Sequence, residues 1–255
     1  MPFRKIAAEK LSNSVVDQIE LLVLRGILRP GERLPSEREL ADRMGVSRPS
    51  LRQAVADLQS RGLLETKAGA GIYVADALGS VFPRPLVTLF AAHSEAVFDY
   101  VSFRRDMEGM AAERAAISGS DTDLELVSTI FEKMEIAHQK RNPSEEAQLD
   151  AEFHLAIIEA SHNVIMLHMM RAMFEMLREG VFYNRQIMFK HRTTRDMLLD
   201  QHRAIRDAIL SRDGKAARQA VEAHLNYVEG SLSAQEKSDR HEAVAIQRLE
   251  HEKTR

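Results

Sequence analysis

The sequence predicts a mainly α-helical protein. An N-terminal winged helix-turn-helix, α with a small β-hairpin wing, precedes a C-terminal all-α antiparallel helical bundle. Three observations carry this reading. Apolar residues recur at helical spacing almost without interruption from Leu86 onward, strand signals are confined to residues 63–74, and Ala, Leu and Met are abundant while aromatics make up only 5%. With 255 residues and 44% hydrophobic content the chain can bury a real core. The expected boundaries are 1–77 for the winged helix-turn-helix, 78–85 for a linker, 86–233 for the bundle and 234–255 for a charged tail.

The bulk properties narrow the function. The absence of Cys excludes disulfides and thiolate metal sites. No apolar run approaches the roughly 18 residues of a membrane span, and the start, Met1-Pro2-Phe3-Arg4-Lys5-Ile6, lacks the apolar core of a signal peptide, so a cytoplasmic protein is expected. Net charge is −3, divided as +2 over residues 1–78 and −5 over the rest. That asymmetry permits a DNA-binding N-terminus without demanding one.

The elements of the N-terminal module follow in order. Leu11 to Gly26 reads as a helix with Val15, Val16, Ile19, Leu22 and Val23 on one face. After the Pro30-Gly31 turn, Ser36 and Glu39 form a capping-box pattern that opens a short helix, 37–44, broken by Gly45. Ser47 caps a second helix that ends at Gly62. Two short helices around a tight glycine turn make a helix-turn-helix. Leu63 to Val74, with Gly69 and Gly71 at its centre, reads as a β-hairpin wing. Arg48 and Arg52 lie four apart near the start of the second helix, flanked by Ser47 and Ser50. Such a helix N-terminus can enter the major groove, where Arg grips guanine through two hydrogen bonds and Ser or backbone N–H holds phosphate. Arg38, at the start of the preceding helix, could reach the same groove.

The segments Leu34-Pro35-Ser36-Glu37-Arg38-Glu39-Leu40-Ala41, Gly45-Val46-Ser47-Arg48-Pro49-Ser50-Leu51-Arg52 and Gly62-Leu63-Leu64 resemble the reading head of GntR-type bacterial regulators, over about residues 11–75. The resemblance implies base contacts from Arg38, Arg48 and Arg52, backbone contacts from Ser47 and Ser50, and a wing tip at Gly69 in the minor groove. Relatives often carry a basic or His residue at that tip. Ala68 and Ala70 stand here instead, which implies close backbone approach rather than side-chain reading.

Residues 75–85 carry Pro and Gly without periodicity and read as a linker. Helices are predicted over 85–92, 94–118, 121–140, 143–162, 164–190, 194–211 and 214–233. The tail from 234 reads as frayed or as an exposed helix.

Asp150 and His154 lie four apart and so share one helix face. His202 and His224 flank the turn signal Ser211-Arg212-Asp213-Gly214. At ~1.5 Å per residue each lies about 16 Å from the turn, hence at one level on antiparallel helices. Three imidazoles and a carboxylate can then converge on one divalent metal. Zn²⁺ is the simplest occupant, and Ni²⁺, Mn²⁺ and Fe²⁺ suit the same donors. The other histidines lack comparable partners.

This half resembles the FCD-type sensing domain of the FadR branch. The resemblance rests on Phe103-Arg104-Arg105-Asp106-Met107-Glu108-Gly109, Asp150-Ala151-Glu152-Phe153-His154, Ala160-Ser161-His162-Asn163, Gln201-His202-Arg203 and Ala223-His224-Leu225, and covers about residues 85–232. It is similar to regulators of lactate, glycolate and pyruvate-dehydrogenase genes. It implies the same four metal ligands and a small carboxylate effector, a hydroxy or keto acid. Arg104 is the expected partner of the effector carboxylate, with a pair to Glu108 at i+4 as the alternative, and Tyr183, Asn184 and Arg185 are further lining candidates. A metabolite-responsive repressor, acting as a homodimer on a pseudo-palindromic double-stranded operator, is the expected function. The competing readings are a metal-dependent hydrolase and a regulator whose metal is purely structural. Against the first, Glu152 should face away from the Asp150/His154 side, and no nucleophile motif is present.

Overall fold

A computed structural model describes residues 8–67, 69–76, 82–178 and 192–255. The chain divides into two compact units, Met1–Val81 and Phe82–Arg255.

The first unit is a winged helix-turn-helix: α1 (Ala8–Leu24), α2 (Glu37–Met44), α3 (Arg48–Ser60), β1 (Leu64–Lys67) and β2 (Gly71–Val74). Its local signals act as the sequence suggests. Ser36 Oγ accepts from Glu39 N–H, and Ser47 Oγ accepts from Ser50 N–H. Gly45 ends α2 in the left-handed conformation (φ 64°), which a side chain would resist. The Ser36/Glu39 box is only half made, because the Glu39 carboxylate pairs with Arg43 at 2.6 Å. Val15, Val16 and Ile19 of α1 pack with Leu40 and with Leu51, Ala54, Val55 and Leu58 of α3. The hairpin pairs Leu64 with Val74 and Lys67 with Gly71. Sequence reading missed a third edge: residues 31–34 run along β2, with Leu34 N–H donating to Ile72 O and Val74 N–H to Glu32 O.

The second unit is the helical bundle: α4 (Arg84–Ala92), α5 (Ser94–Ser118), α6 (Asp121–Lys140), α7 (Pro143–Ala160), α8 (Val164–Arg178), α9 (Arg192–Leu210) and α10 (Gly214–Thr254). Helix α4 begins inside the segment read as linker. The 164–190 helix is described only to Arg178. Helix α5 packs on α10, α7 and α9, while α6 packs on α7 and α9. Helix α7 is buried on nearly every side, from Ala147 and Leu149 through Phe153 and Ile157 to Ala160, so its polar residues are drawn into the core with it. A Cβ on Gly214 would lie 2.9 Å from Ile117, so glycine there lets α10 start hard against the end of α5. The α9–α10 turn places Arg212 in the left-handed region (φ 62°), with its guanidinium on Asp121 at 2.6 Å.

Of the two readings of the tail from 234, the exposed helix is the one that forms: α10 continues unbroken to Thr254. Beyond the bundle its pairs are local, Glu236 with Arg240 and Gln235 with Asp239, and such i,i+4 contacts support a solvated helix. The 143–162 helix stops at Ala160, with His162 left-handed (φ 53°) and Asn163 Oδ1 accepting from Met166 N–H. Among the described residues no helix is long and apolar enough to cross a membrane.

Candidate metal centre and DNA-reading head

Asp150, His154, His202 and His224 come together in the core of the bundle, all four buried. One ligand atom from each lies within 4.8 Å of every other. The i,i+4 spacing aligns Asp150 and His154 on α7, and the tight α9–α10 turn levels His202 with His224, whose ring centroids are 4.5 Å apart. His202 Nε2 lies 3.1 Å from Asp150 Oδ1 and 3.3 Å from His154 Nε2, and His154 Nε2 is 3.9 Å from Asp150 Oδ1. Ligands about 2.0–2.1 Å from one tetrahedral cation stand about 3.4 Å apart, so the cluster has the size of a single-ion site. Phe153 closes one side, edge-on to His202 at 5.3 Å.

Each ring's second nitrogen shows how the cluster is held. His154 Nδ1 lies 2.6 Å from Glu108 Oε2, and His224 Nδ1 lies 3.0 Å from Gln201 Oε1. A carboxylate and an amide oxygen only accept, so a proton on Nδ1 of each ring suits both contacts and would leave Nε2 as a lone-pair donor. Burial works against the charged form of Glu108. The Arg104 guanidinium and His154 outweigh it and hold the carboxyl down at about 2. His224 is pushed well below its ordinary 6.5, first by burial and then by His202 and His154, with Asp150 opposing. Its imidazole is therefore neutral and ready to ligate near pH 7.

Two acid transitions follow. The folded pKa of His224 is depressed, so its contribution to stability is full above pH 6.5 and is lost as pH falls below that value. Glu108 contributes fully above its ordinary 4.5 and loses that contribution as pH falls towards about 2. The metal-free protein should therefore melt at progressively lower temperature as pH is lowered from about 7 to about 5, through His224 protonation on unfolding. Thermal melts across this range check it, and a midpoint that does not move contradicts it.

Arg104 is the residue whose surroundings differ most from expectation. It is 1% exposed, its Nε donates to Glu108 Oε1 at 2.6 Å, and its guanidinium packs over Phe174 at 5.2 Å and Tyr100 at 5.8 Å. The i+4 pair weighed as the alternative is thus formed. Glu108, considered in the sequence only as that partner, links Arg104 to His154 and is the site residue that sequence reasoning missed. Tyr183, Asn184 and Arg185 lie outside the described residues. Glu152 bonds to Gln148 on the exposed side of α7. His138 does have partners: its ring lies between Glu146 (3.3 Å) and Asp196 (3.0 Å), while Arg195 binds Glu146 and the His138 carbonyl.

In the N-terminal unit Arg38, Ser47, Arg48 and Arg52 are exposed. Ser50 is buried and its hydroxyl is shared with Ser47 Oγ at 2.8 Å. Gly69 sits at the wing tip with φ 71° and open space where a Cβ would be, and Ala68 lies outside the described residues.

Comparison with known proteins bears on both units. Residues 11–74 match the model of bacterial regulatory proteins of the gntR family, and residues 99–227 match the FCD domain. The chain belongs to the GntR family of transcription regulators, with an FCD domain. It is 36% identical over 231 residues to the putative L-lactate dehydrogenase operon regulatory protein of Escherichia coli K12, covering 89% of this chain and 88% of that protein. It is 33% identical to the Glc operon transcriptional activator of the same strain, over 86% of this chain and 87% of the relative. Bacillus subtilis LutR, an HTH-type transcriptional regulator, is 31% identical over 83% of this chain and 96% of its own. Among solved structures, Streptococcus agalactiae GntR shares the fold with a TM-score of 0.52 at 24% identity, over 86% of this chain and 98% of that one. This GntR regulator is therefore a DNA-binding protein with an effector domain, not an enzyme.

Proposed function

We propose that this GntR regulator is a cytoplasmic homodimeric repressor that senses a small 2-hydroxy or 2-keto acid at a divalent metal, Zn²⁺ in the first instance, held by Asp150, His154, His202 and His224. The observation that carries this reading is the convergence of four buried ligand atoms in the middle of the effector domain. Bound there, a divalent cation supplies a Lewis-acidic face for a carboxylate and its neighbouring oxygen. The protein residues do the rest. Glu108 and Gln201 orient the imidazoles, and Phe153 walls one side. Asp150, Glu108 and Arg104 sum to one negative charge when the histidines are neutral, so a dication leaves the buried cluster net positive and attractive to an organic anion. Lactate-type acids are favoured because the relatives are named for lactate dehydrogenase and Glc operons. Arg104 acts through Glu108 in this reading, and Tyr183, Asn184 and Arg185 remain candidates to line the acid's approach.

Arg38, Arg48 and Arg52 would read bases, with Ser47, the α3 N-terminus that includes Ser50, and the Gly69 tip on the backbone. One head covers only a short half-site, hence a dimer on a pseudo-palindrome. Repression is the sign proposed because occupancy of an operator is enough to block transcription, and the acid would lower occupancy by favouring the bundle state that binds DNA less well. Arg48→Ala should weaken operator binding by about 10–100-fold, the loss of one bidentate base contact, with the thermal midpoint unchanged. A gel-shift series checks this, and wild-type affinity in the variant would overturn the assignment of α3. A reporter fused to the operator that rises when the gene is deleted supports repression, and one that falls makes the protein an activator.

A further inference from the structure

The reading head contains an ion pair that folding does not require. Arg52, in the second turn of α3, donates from Nε to Glu37 Oε2 at 2.9 Å, and Glu37 is the first residue of α2. The side chains are 64% and 37% exposed, and pairs so open to water contribute little to stability. Its placement is more informative. It joins the two helices of the helix-turn-helix at their N-terminal ends, next to Arg38 and Arg48. Among the described residues, neither of those two arginines makes an ion pair or side-chain hydrogen bond, so of the three candidate base readers only Arg52 is tethered.

A guanidinium is a planar fork with five N–H groups. A carboxylate held at Nε fixes the plane and leaves the terminal Nη1–Nη2 edge for another acceptor pair. Guanine offers such a pair in the major groove, N7 and O6. We propose that Glu37 is a positioning residue for base readout: it holds Arg52 by Nε so that the terminal edge meets guanine, and its negative charge disfavours DNA that leaves Arg52 unsatisfied. The proposal rests on the reading of α3 as the recognition helix with Arg52 on a base. The tether removes rotamer freedom that a long, exposed arginine would otherwise lose on binding. The carboxylate also repels phosphate, so it lowers affinity for arbitrary sequence while sharpening the response to the correct base.

Glu37 is also an acidic residue in the first turn of α2, where any carboxylate favours the helix. Glu37→Asp separates the two roles, because it keeps the charge at the helix end and loses the reach to Arg52. The test uses the full chain and an operator recovered by the wild-type protein from a randomised duplex pool. The guanine read by Arg52 is the one whose replacement weakens the wild type but not Arg52→Ala. Arg52→Ala should lose about 10–100-fold on the operator. Glu37→Ala and Glu37→Asp should lose about 3–10-fold in discrimination at that guanine, while affinity for unselected duplex stays equal or rises. The double variant R52A/E37A should match R52A alone, since a tether has no value without the residue it holds. Wild-type discrimination in Glu37→Ala, full additivity in the double variant, or an unaffected Glu37→Asp overturns the proposal while leaving Arg52 a base reader. Wild-type operator affinity in Arg52→Ala removes the base reader itself, and the proposal with it.

Discussion

Replacing His202 with Ala is expected to abolish tight divalent-metal binding while leaving the bundle folded. His202 is fully buried, and its Nε2 is the donor closest to two others, 3.1 Å from Asp150 Oδ1 and 3.3 Å from His154 Nε2. Removing it takes one imidazole from a set of four ligands. Loss of an outer residue that only orients a ligand typically costs about 10–100-fold in metal affinity, so loss of a ligand should cost more than about 100-fold. The effect is readable as stability. A cation present at about 100 times its Kd adds about 2.7 kcal/mol to the folded state. For a domain of this size that is a rise of roughly 5–10 °C in Tm. Wild-type protein should show that rise on addition of Zn²⁺, and His202→Ala should not. His202→Gln, which keeps most of the volume, separates loss of the ligand from loss of packing. An undiminished Zn²⁺ shift in both variants would remove the quartet as the metal site.

Glu108→Ala should destabilise the metal-free protein more than any change of ligand. The Arg104–Glu108 pair is almost wholly inaccessible, with side chains 1% and 2% exposed. Taking away one partner strands a guanidinium among Tyr100 and Phe174, at a cost of about 3–5 kcal/mol. His154 loses its Nδ1 contact in the same stroke, so metal affinity should also drop about 10–100-fold. The double change to Leu at 104 and 108 distinguishes the two consequences. Replacing a buried pair by apolar side chains is often neutral for stability, so chemical denaturation should show the double variant recovering most of the loss. Its metal affinity should remain low, because Leu cannot accept from His154. A single variant as stable as wild type would mean that Arg104 finds another anion, and the relay from Arg104 to His154 would lose its structural role.

How much of this was legible in the sequence depends on how local each signal is. Ser36, Gly45 and Ser47 bound α2 and α3 through contacts within four residues, and those helices follow the pattern closely. The Asp150/His154 spacing is equally local, and the His202/His224 level follows from one tight turn. Glu108 is different. It meets His154 across 46 positions of sequence and looks like an ordinary surface i,i+4 partner of Arg104 until α5 is seen in the core. His138, Glu146 and Arg195 went unpaired in the sequence for the same reason, since they meet only when α6, α7 and α9 pack. The strand edge at 31–34 carries too few residues to show a period. The last turns of α10 left two readings open, frayed or helical, because their apolar pattern is weak. There the support comes from charge pairs on a stretch of helix that is exposed all round.

The central claim is that a metal in the FCD domain is the receptor for a small acid. Calorimetric titration of the metal-loaded protein with lactate, glycolate, pyruvate and citrate tests it most directly, with metal-free protein and His202→Ala run alongside. The account predicts saturable heat from at least one hydroxy or keto acid with metal-loaded wild type only, and release of operator DNA over the same concentration range. Equal heat from the metal-free protein, or no heat from any acid with metal fully bound, would contradict it and leave the metal a structural part of the bundle.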